Sequence, residues 1–335
     1  MVNIFFQIKN YRDNNKKKNI FKKIKDKRNN YLTDFSDWKL RRISRDQSHS
    51  VIVFRYALME DSNKRLEWGK RTWKLLSEIR TQSPLIQCIT NFVSMDLMAN
   101  TLLSAGASPA MVHSIQEIPD FTPRVSALCI NVGTLSPESL PAMITAAKLC
   151  SQLDIPWVLD PVAVSASSFR FDACVQLVIL KPTVIRGNAS EIIALSSSYE
   201  SSTSKGADST HDSMDAVEAA KLLAQKSGSV VAVSGATDIV TDGYQVVGAH
   251  NGVAMMQKIT ATGCSVTALI AAFVAVDKSH AFDAAVSALA VFGVAGELGM
   301  KMAKGPASLR MHLIDALYGL DEATLQSHVN ITSLC

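Results

Sequence analysis

Short runs rich in Val, Ile and Leu recur through the middle of the chain without polar alternation, and segments of helical period separate them. The strand candidates are residues 85–89, 127–132, 157–160, 177–180 and 229–234. A strand apolar at every position is buried on both faces, which a parallel sheet covered by helices provides. Alternation of such strands with helices implies right-handed crossovers. The expected fold is therefore α/β, a mostly parallel central sheet with helices on both faces. Residues 238–250 differ: they alternate and contain Asp242-Gly243, the signal of a hairpin at one sheet edge.

The helical segments are marked by their ends. Residues 92–104 stop before Gly106, a C-cap candidate. Leu140, Met143, Ile144 and Ala147 share a face behind Ser136-Pro137. Val217, Ala220, Leu223 and Ala224 form another, closed by Gly228. After Gly263 the chain reads as helix to Val276, then over 281–304 and 309–317. The Ser-rich stretch 196–213 reads as a surface loop.

Charge divides the chain. Residues 1–58 hold 15 Lys and Arg against 5 Asp, a net of +10, although the whole chain carries only +4. The remainder is therefore mildly acidic, which argues against nucleic acid as a partner. The basic segment has no apolar core of a secretory signal, and it is Lys-rich with several acids, unlike a transit peptide. It is expected to be a disordered extension or an upstream segment absent from the working protein, with a basic nucleic-acid arm as the weaker alternative. A helical pattern with Leu66, Trp73, Leu75, Leu76 and Ile79 begins after Met59, the expected start of a single domain over 59–335.

Six cysteines lie at 88, 129, 150, 174, 264 and 335, none in a C-x-x-C pair. Free thiols in a reducing compartment are expected, which points to the cytoplasm and leaves a plastid open. No membrane span is expected either. The uncharged stretch 259–276 has an apolar body of only 266–276, too short for the ~30 Å of a bilayer core.

Five constellations are candidates to carry chemistry. Lys258-Ile-Thr-Ala-Thr-Gly-Cys-Ser265 is a small-residue turn opening a buried helix. Backbone N–H groups and the helix dipole there favour an anion, with Thr260 and Thr262 adding hydroxyls. Cys264 falls in the first turn, where a thiol pKa tends to drop. An ordinary capped helix with a packed cysteine has the same sequence.

Arg186-Gly-Asn-Ala-Ser-Glu191 follows a run ending in Lys181-Pro182. Arg186 suits bidentate phosphate contact. Asn188 and Glu191 make either a capping box or, through the carboxylate, a place for Mg²⁺ or its water. Asp160-Pro161 puts a carboxylate at a strand's C-terminal end, where open α/β sheets bind ligands; a capping role is the alternative. Ser234-Gly235-Ala-Thr-Asp238, Cys88-Ile-Thr-Asn91 and Gly106-Ala-Ser-Pro-Ala-Met111 are polar or small among apolar neighbours and equally suit plain turns. His113 reads as a satisfied polar residue. Together these groups are the equipment of phosphoryl transfer from Mg·ATP. No G-x-x-x-x-G-K-S/T is present, so the chain is not a P-loop enzyme, and no G-x-G-x-x-G follows the first strand.

The residues resemble the hydroxyethylthiazole kinases, ribokinase-like enzymes of thiamine salvage, and the wording is plant-like. The resemblance covers residues 83–320 and rests on seven motifs in one order: SPLIQCITN (83–91), ANTLLSAGASPAM (99–111), INVGTLS (130–136), LDPVA (159–163), IRGNASEI (185–192), VSGATD (233–238) and KITATGCS (258–265). It implies ATP-dependent phosphorylation of 5-(2-hydroxyethyl)-4-methylthiazole on its primary alcohol, by a homotrimer with active sites between subunits.

By position, Met111, Asn91 and Ala261 would meet substrate. Arg186, Ser234, Asn188, Thr262 and Gly263 would meet ATP. Asp160 and Glu191 would serve Mg²⁺, and Cys264 stands where ribokinase relatives place an Asp base. Two departures stand out. Ser234 replaces the usual Thr and keeps a hydroxyl. Ala261 replaces the usual Gly, and strain follows if its φ is positive.

Two readings compete. A kinase of a pyrimidine or pyridoxal alcohol would share the fold, and Cys264 in place of Asp speaks against it. A non-catalytic binder of thiazole or nucleotide predicts loss of Asp160, Glu191 or Arg186, and all three are present.

Overall fold

The computed structural model describes residues 65–199 and 212–334. The expected basic extension lies outside the described residues, as does most of the Ser-rich stretch. The described part of that stretch departs from a surface loop at its ends. Ser196 and Ser213 are buried, and the Ser213 hydroxyl donates to the Thr237 carbonyl at 2.6 Å.

Nine strands form one sheet in the order β2-β1-β3-β4-β5-β6-β7-β8-β9. They are β1 (Leu85–Ile89), β2 (Ser108–Ala110), β3 (Ala127–Asn131), β4 (Trp157–Asp160), β5 (Val184–Asn188), β6 (Val230–Ser234), β7 (Asp238–Thr241), β8 (Val246–Ala249) and β9 (Ile331–Ser333). The strands from β2 to β6 run parallel, and β7, β8 and β9 are added antiparallel.

The apolar runs are explained by their two faces. Cys88, Cys129, Val158, Val184 and Ala232 enter one core, while Ile89, Ile130, Leu159, Ile185 and Val233 enter the other. Successive residues thus feed opposite layers, so both faces are lined mainly by apolar side chains, and the buried Gln87 of β1 is accommodated by hydrogen bonds to Val112 and Thr122.

Apart from a single turn at Ile118–Phe121, ten α-helices among the described residues cover these faces: α1 (65–82), α2 (Met95–Ala105), α3 (Ser139–Gln152), α4 (Ser168–Ile179), α5 (Ala189–Ser196), α6 (Val217–Ser227), α7 (Thr262–Val276), α8 (Ala281–Met300), α9 (Pro306–Gly319) and α10 (Glu322–His328). Helices α1, α2, α7 and α8 pack on the first face, α3 to α6 on the second. Gly106 and Gly228 close α2 and α6 at φ 97° and 75°.

Helix α7 is buried continuously from Ser265 to Val274, which explains its apolarity all round. The helical stretch Lys278–Met300 is long and apolar enough to cross a membrane by length and composition, yet 72% of its apolar window is buried inside the protein. Cys88, Cys129, Cys150 and Cys174 are buried, Cys264 is half-buried, and all five are unpaired.

Three sequence expectations fail. Residues 177–180 are not a strand: they end α4 and cap it, and the strand lies beyond Pro182 as β5. A four-residue apolar run does not distinguish a strand from the last turn of a buried helix. Arg186 therefore stands inside a strand rather than after one. The hairpin β7–β8 forms as expected but is not at the edge, because β9 pairs with β8 outside it. Strands β2 and β9 were not foreseen; each is three residues long and sits at a sheet edge, too short for a periodic signal.

Candidate active site

The chain leaves β1 for β2 on one side and returns to β3 on the other. Such a switch opens a crevice at the C-terminal strand ends. Asn91 follows β1, Asn131 ends β3, Asp160 ends β4, Asn188 ends β5 and Ser234 ends β6. Register aligns them, Asn131 with Asp160 and Asn188 with Ser234. Helix α7 starts against this row.

The turn into α7 is built on Ala261, at φ 68° and ψ 8°. An L-residue there is strained, as anticipated for a position where glycine is usual. The Ser265 N–H closes the first turn on the Ala261 carbonyl at 2.9 Å. The N–H groups ahead of it have no acceptor within the helix and are available to an anion. The Thr262 hydroxyl turns inward to the Ile259 and Met256 carbonyls, both at 3.2 Å, so it fastens the turn.

Arg186 lies over Gly263. A Cβ at residue 263 would come 2.7 Å from its Nη1, so the glycine makes room for the guanidinium. Arg186 Nε donates to Ser234 Oγ at 2.9 Å, and Nη1 stands 3.8 Å from Asp160 Oδ2.

Asp160 is fully buried. Its Oδ2 accepts from Asn131 Nδ2 at 2.7 Å and Thr267 Oγ1 at 2.9 Å, while Oδ1 is buried with no partner among the described residues. Burial pushes the carboxyl up to about 6 against the pull of Arg186. Asp238 is likewise raised to about 6 by burial, although the Gly235 N–H and Arg186 oppose the rise.

Cys264 Sγ accepts from Asn131 Nδ2 at 3.2 Å and Asn91 Nδ2 at 3.4 Å. Its thiol is pushed up, by burial first and by the Asp160 charge second. The helix start was expected to lower it; in this setting desolvation outweighs the dipole.

The capping-box reading of Asn188 and Glu191 is realised. Asn188 Oδ1 accepts from the Glu191 N–H at 2.9 Å, and Glu191 Oε2 accepts from the Asn188 N–H at 2.8 Å. Glu191 does more: its Oε1 accepts from the Ala163 N–H at 2.9 Å and ties the loop after β4 to α5. Met111, half-buried just past β2, packs on the first core and does not line the main cleft. His113 is satisfied by the Thr90 backbone, as expected.

The cleft beside Arg186 has a volume of about 400 Å³. Arg186, Asn188, Ser234, Thr262 and Gly263 line it together, so the residues expected on the ATP side meet in one place. Sequence reasoning missed its apolar wall of Val266, Leu289 and Phe292, because nothing local distinguishes a cleft-lining apolar residue from a core one. It also missed Asn131, Asp238 and Thr267. The first two lay inside quoted motifs, and only the three-dimensional network singles them out.

The hydroxyethylthiazole kinase family model matches residues 76–323. A hydroxyethylthiazole kinase of Arabidopsis thaliana is 67% identical over 276 residues, 82% of this chain and 100% of that one. One from Zea mays is 62% identical over 82% of this chain and 97% of its own. The solved hydroxyethylthiazole kinase protein of Pyrococcus horikoshii is 33% identical at a TM-score of 0.73, covering 78% of this chain and 98% of that one. A pyridoxal kinase from Staphylococcus aureus, 17% identical at a TM-score of 0.52 over 75% and 98% of the two chains, shares the fold alone. The sheet, its helices and the motifs along its strand ends all agree: the chain belongs to the hydroxyethylthiazole kinase family, with the ribokinase-like α/β fold.

Proposed function

We propose that this protein transfers the terminal phosphoryl group of ATP to the primary alcohol of 5-(2-hydroxyethyl)-4-methylthiazole, making the thiazole phosphate used in thiamine salvage. One observation carries the reading beyond family membership. The Arg186 guanidinium lies over Gly263 at the start of α7, with the Cys264 thiol one residue on. The guanidinium and first-turn N–H groups are thus placed to hold a transferring phosphoryl group, beside the thiol assigned to the alcohol.

In this reading Arg186, Ser234, Asn188 and Gly263 hold the nucleotide, and Thr262 fixes the turn that supplies the N–H groups. Asn91, Met111 and the backbone at Ala261 receive the thiazole. Cys264 is assigned to the alcohol proton. Burial keeps it a thiol, so its contribution is modest. Phosphoryl transfer through a loose transition state depends more on positioning and charge than on a base.

Asp160 and Glu191 would hold Mg²⁺. No group of three or more His, Cys, Asp or Glu suited to a metal occurs among the described residues. The donors present fit a hard cation that keeps waters and phosphate oxygens: Asp160 Oδ1, without a partner among the described residues, and the Glu191 oxygens, each accepting one N–H from the described residues. When bound, the ion neutralises charge on the phosphates.

The proposal extends to a homotrimer with shared sites. Phe92 and Val93, 72% and 69% exposed directly after Asn91, support a subunit contact at the substrate end. The five unpaired thiols suit a reducing compartment such as the cytoplasm.

The test is ADP release with a panel of thiazole, pyrimidine and pyridoxine alcohols. Turnover confined to the thiazole alcohol is expected. Preference for another alcohol would reassign the substrate, and nucleotide binding without turnover on any of them would make the protein a binder.

A further inference from the structure

Asn131 is the last residue of β3 and is fully buried. A primary amide offers two donors and two acceptor lone pairs, and here all four are engaged. Nδ2 donates to Asp160 Oδ2 at 2.7 Å and to Cys264 Sγ at 3.2 Å. Oδ1 accepts from Asn91 Nδ2 at 2.9 Å and from the Gly133 N–H at 2.9 Å. One planar group thus joins the end of β1, the end of β4 and the first turn of α7.

The chemistry of each partner fixes the amide's orientation. Asp160 and Cys264 present acceptors, and Asn91 and Gly133 present donors. A flipped amide would set oxygen against the Asp160 carboxylate. No other side chain of this size serves: aspartate lacks the donors, and serine has one. The loop is shaped to the amide as well. A Cβ at residue 133 would come 2.9 Å from Asn131 Oδ1 and 2.8 Å from the Asn91 Cβ, so Gly133 is required for this close turn.

We infer that Asn131 is a positioning residue of the kinase reaction, holding the Cys264 thiol and Asn91 in fixed relation to the Asp160 carboxylate. It touches no phosphate or alcohol in this assignment and acts through those three neighbours. The inference rests on the kinase reading above, in which Cys264 and Asn91 belong to the alcohol side and Asp160 to the phosphate side. A misplacement of about 1 Å between such groups costs roughly 10²-fold in rate.

The test uses two variants, each alone and combined with Cys264→Ala. Asn131→Asp keeps the size and the acceptor oxygen but removes both donors. Asn131→Ser shortens the side chain and breaks the whole junction. Wild-type turnover of the thiazole alcohol is the control, and its absence sinks the kinase reading itself.

With the control active, each Asn131 variant is expected to lose 10- to 100-fold in kcat. The KM for ATP should stay within about threefold, because other groups bind the nucleotide, and any rise in the thiazole KM, transmitted through Asn91, should be smaller than the fall in kcat. Combined with Cys264→Ala, the loss should fall well short of the product of the two single losses, since part of the Asn131 effect runs through Cys264. Losses that multiply, or a rise in KM with kcat unchanged, would overturn the positioning role. If neither variant folds, the residue is structural and the inference also fails.

Discussion

Arg186 sits where three demands meet. It bonds Ser234, faces Asp160 and needs Gly263 beneath it. Lysine reaches the same region with one point charge and cannot reproduce the fork or the bond to Ser234. Arg186→Lys is expected to raise the KM for ATP at least tenfold and the KM for thiazole hardly at all, in initial-rate kinetics varying each substrate.

Cys264 is a thiol raised by burial and by Asp160, so Cys264→Ala should lower kcat by on the order of 10²-fold or less with both KM values nearly unchanged. Cys264→Asp should remain active, since a carboxylate can take the same proton. A dead Asp variant beside a fully active Ala variant would reduce Cys264 to packing.

Asp238 gives a pH signature. Its folded pKa of about 6 lies above the ordinary value of 3.8, so between these the folded protein binds more protons than the unfolded chain. Stability from this group is therefore full below about pH 4 and is lost as pH rises through 6. Asp238→Asn should melt higher than wild type at pH 7.5 and nearly level with it at pH 4. After solvent screening the gap is on the order of 1 kcal/mol, or about 2–4 °C by calorimetry.

At the scale of elements, the α7 turn shows how local sequence and local geometry diverge. A turn opening a buried helix was legible in the run of small residues from Thr260 to Ser265. The sense of the Cys264 shift was not, because it depends on Asp160, more than a hundred residues away in sequence, and on burial under β3 and β4. Ala261 at φ 68° carries strain of roughly 1–2 kcal/mol, part of which a glycine returns as unfolded-state entropy. Ala261→Gly should raise the melting temperature by about 2–4 °C, corresponding to about 1 kcal/mol. An unchanged or lower value would mean that the alanine methyl packs well enough to offset the strain.

The strands divide similarly. β3, β4 and β6 were readable because each is a run of Val, Ile, Leu or Ala long enough to feed two cores. β5 was hidden because Arg186, Gly187 and Asn188 break its apolar pattern. Arg186 and Asn188 belong to the proposed nucleotide site, so the groups proposed to carry the chemistry also disguised the strand that holds them.

For the molecule as a whole, we propose from the charge split that the working kinase lies in residues 59–335. A chain starting at Met59 is expected to give kcat within twofold of the full chain and a trimer mass by light scattering. Loss of activity, or a mass of one subunit, would move the boundary or the assembly.

The row of functional groups at the strand ends has a mechanical consequence. Four steps across the sheet separate Asn91 on β1 from Ser234 on β6. At ~4.8 Å per step the row spans about 19 Å. Neighbouring strands are rotated by roughly 20–25°, so the direction each end presents swings through about 80–100° along the way. A ligand reaching from one end to the other follows an arc. A bisubstrate mimic joining thiazole to nucleotide must therefore curve, and a stiff linear linker of the correct length will still leave one end of the row unfilled.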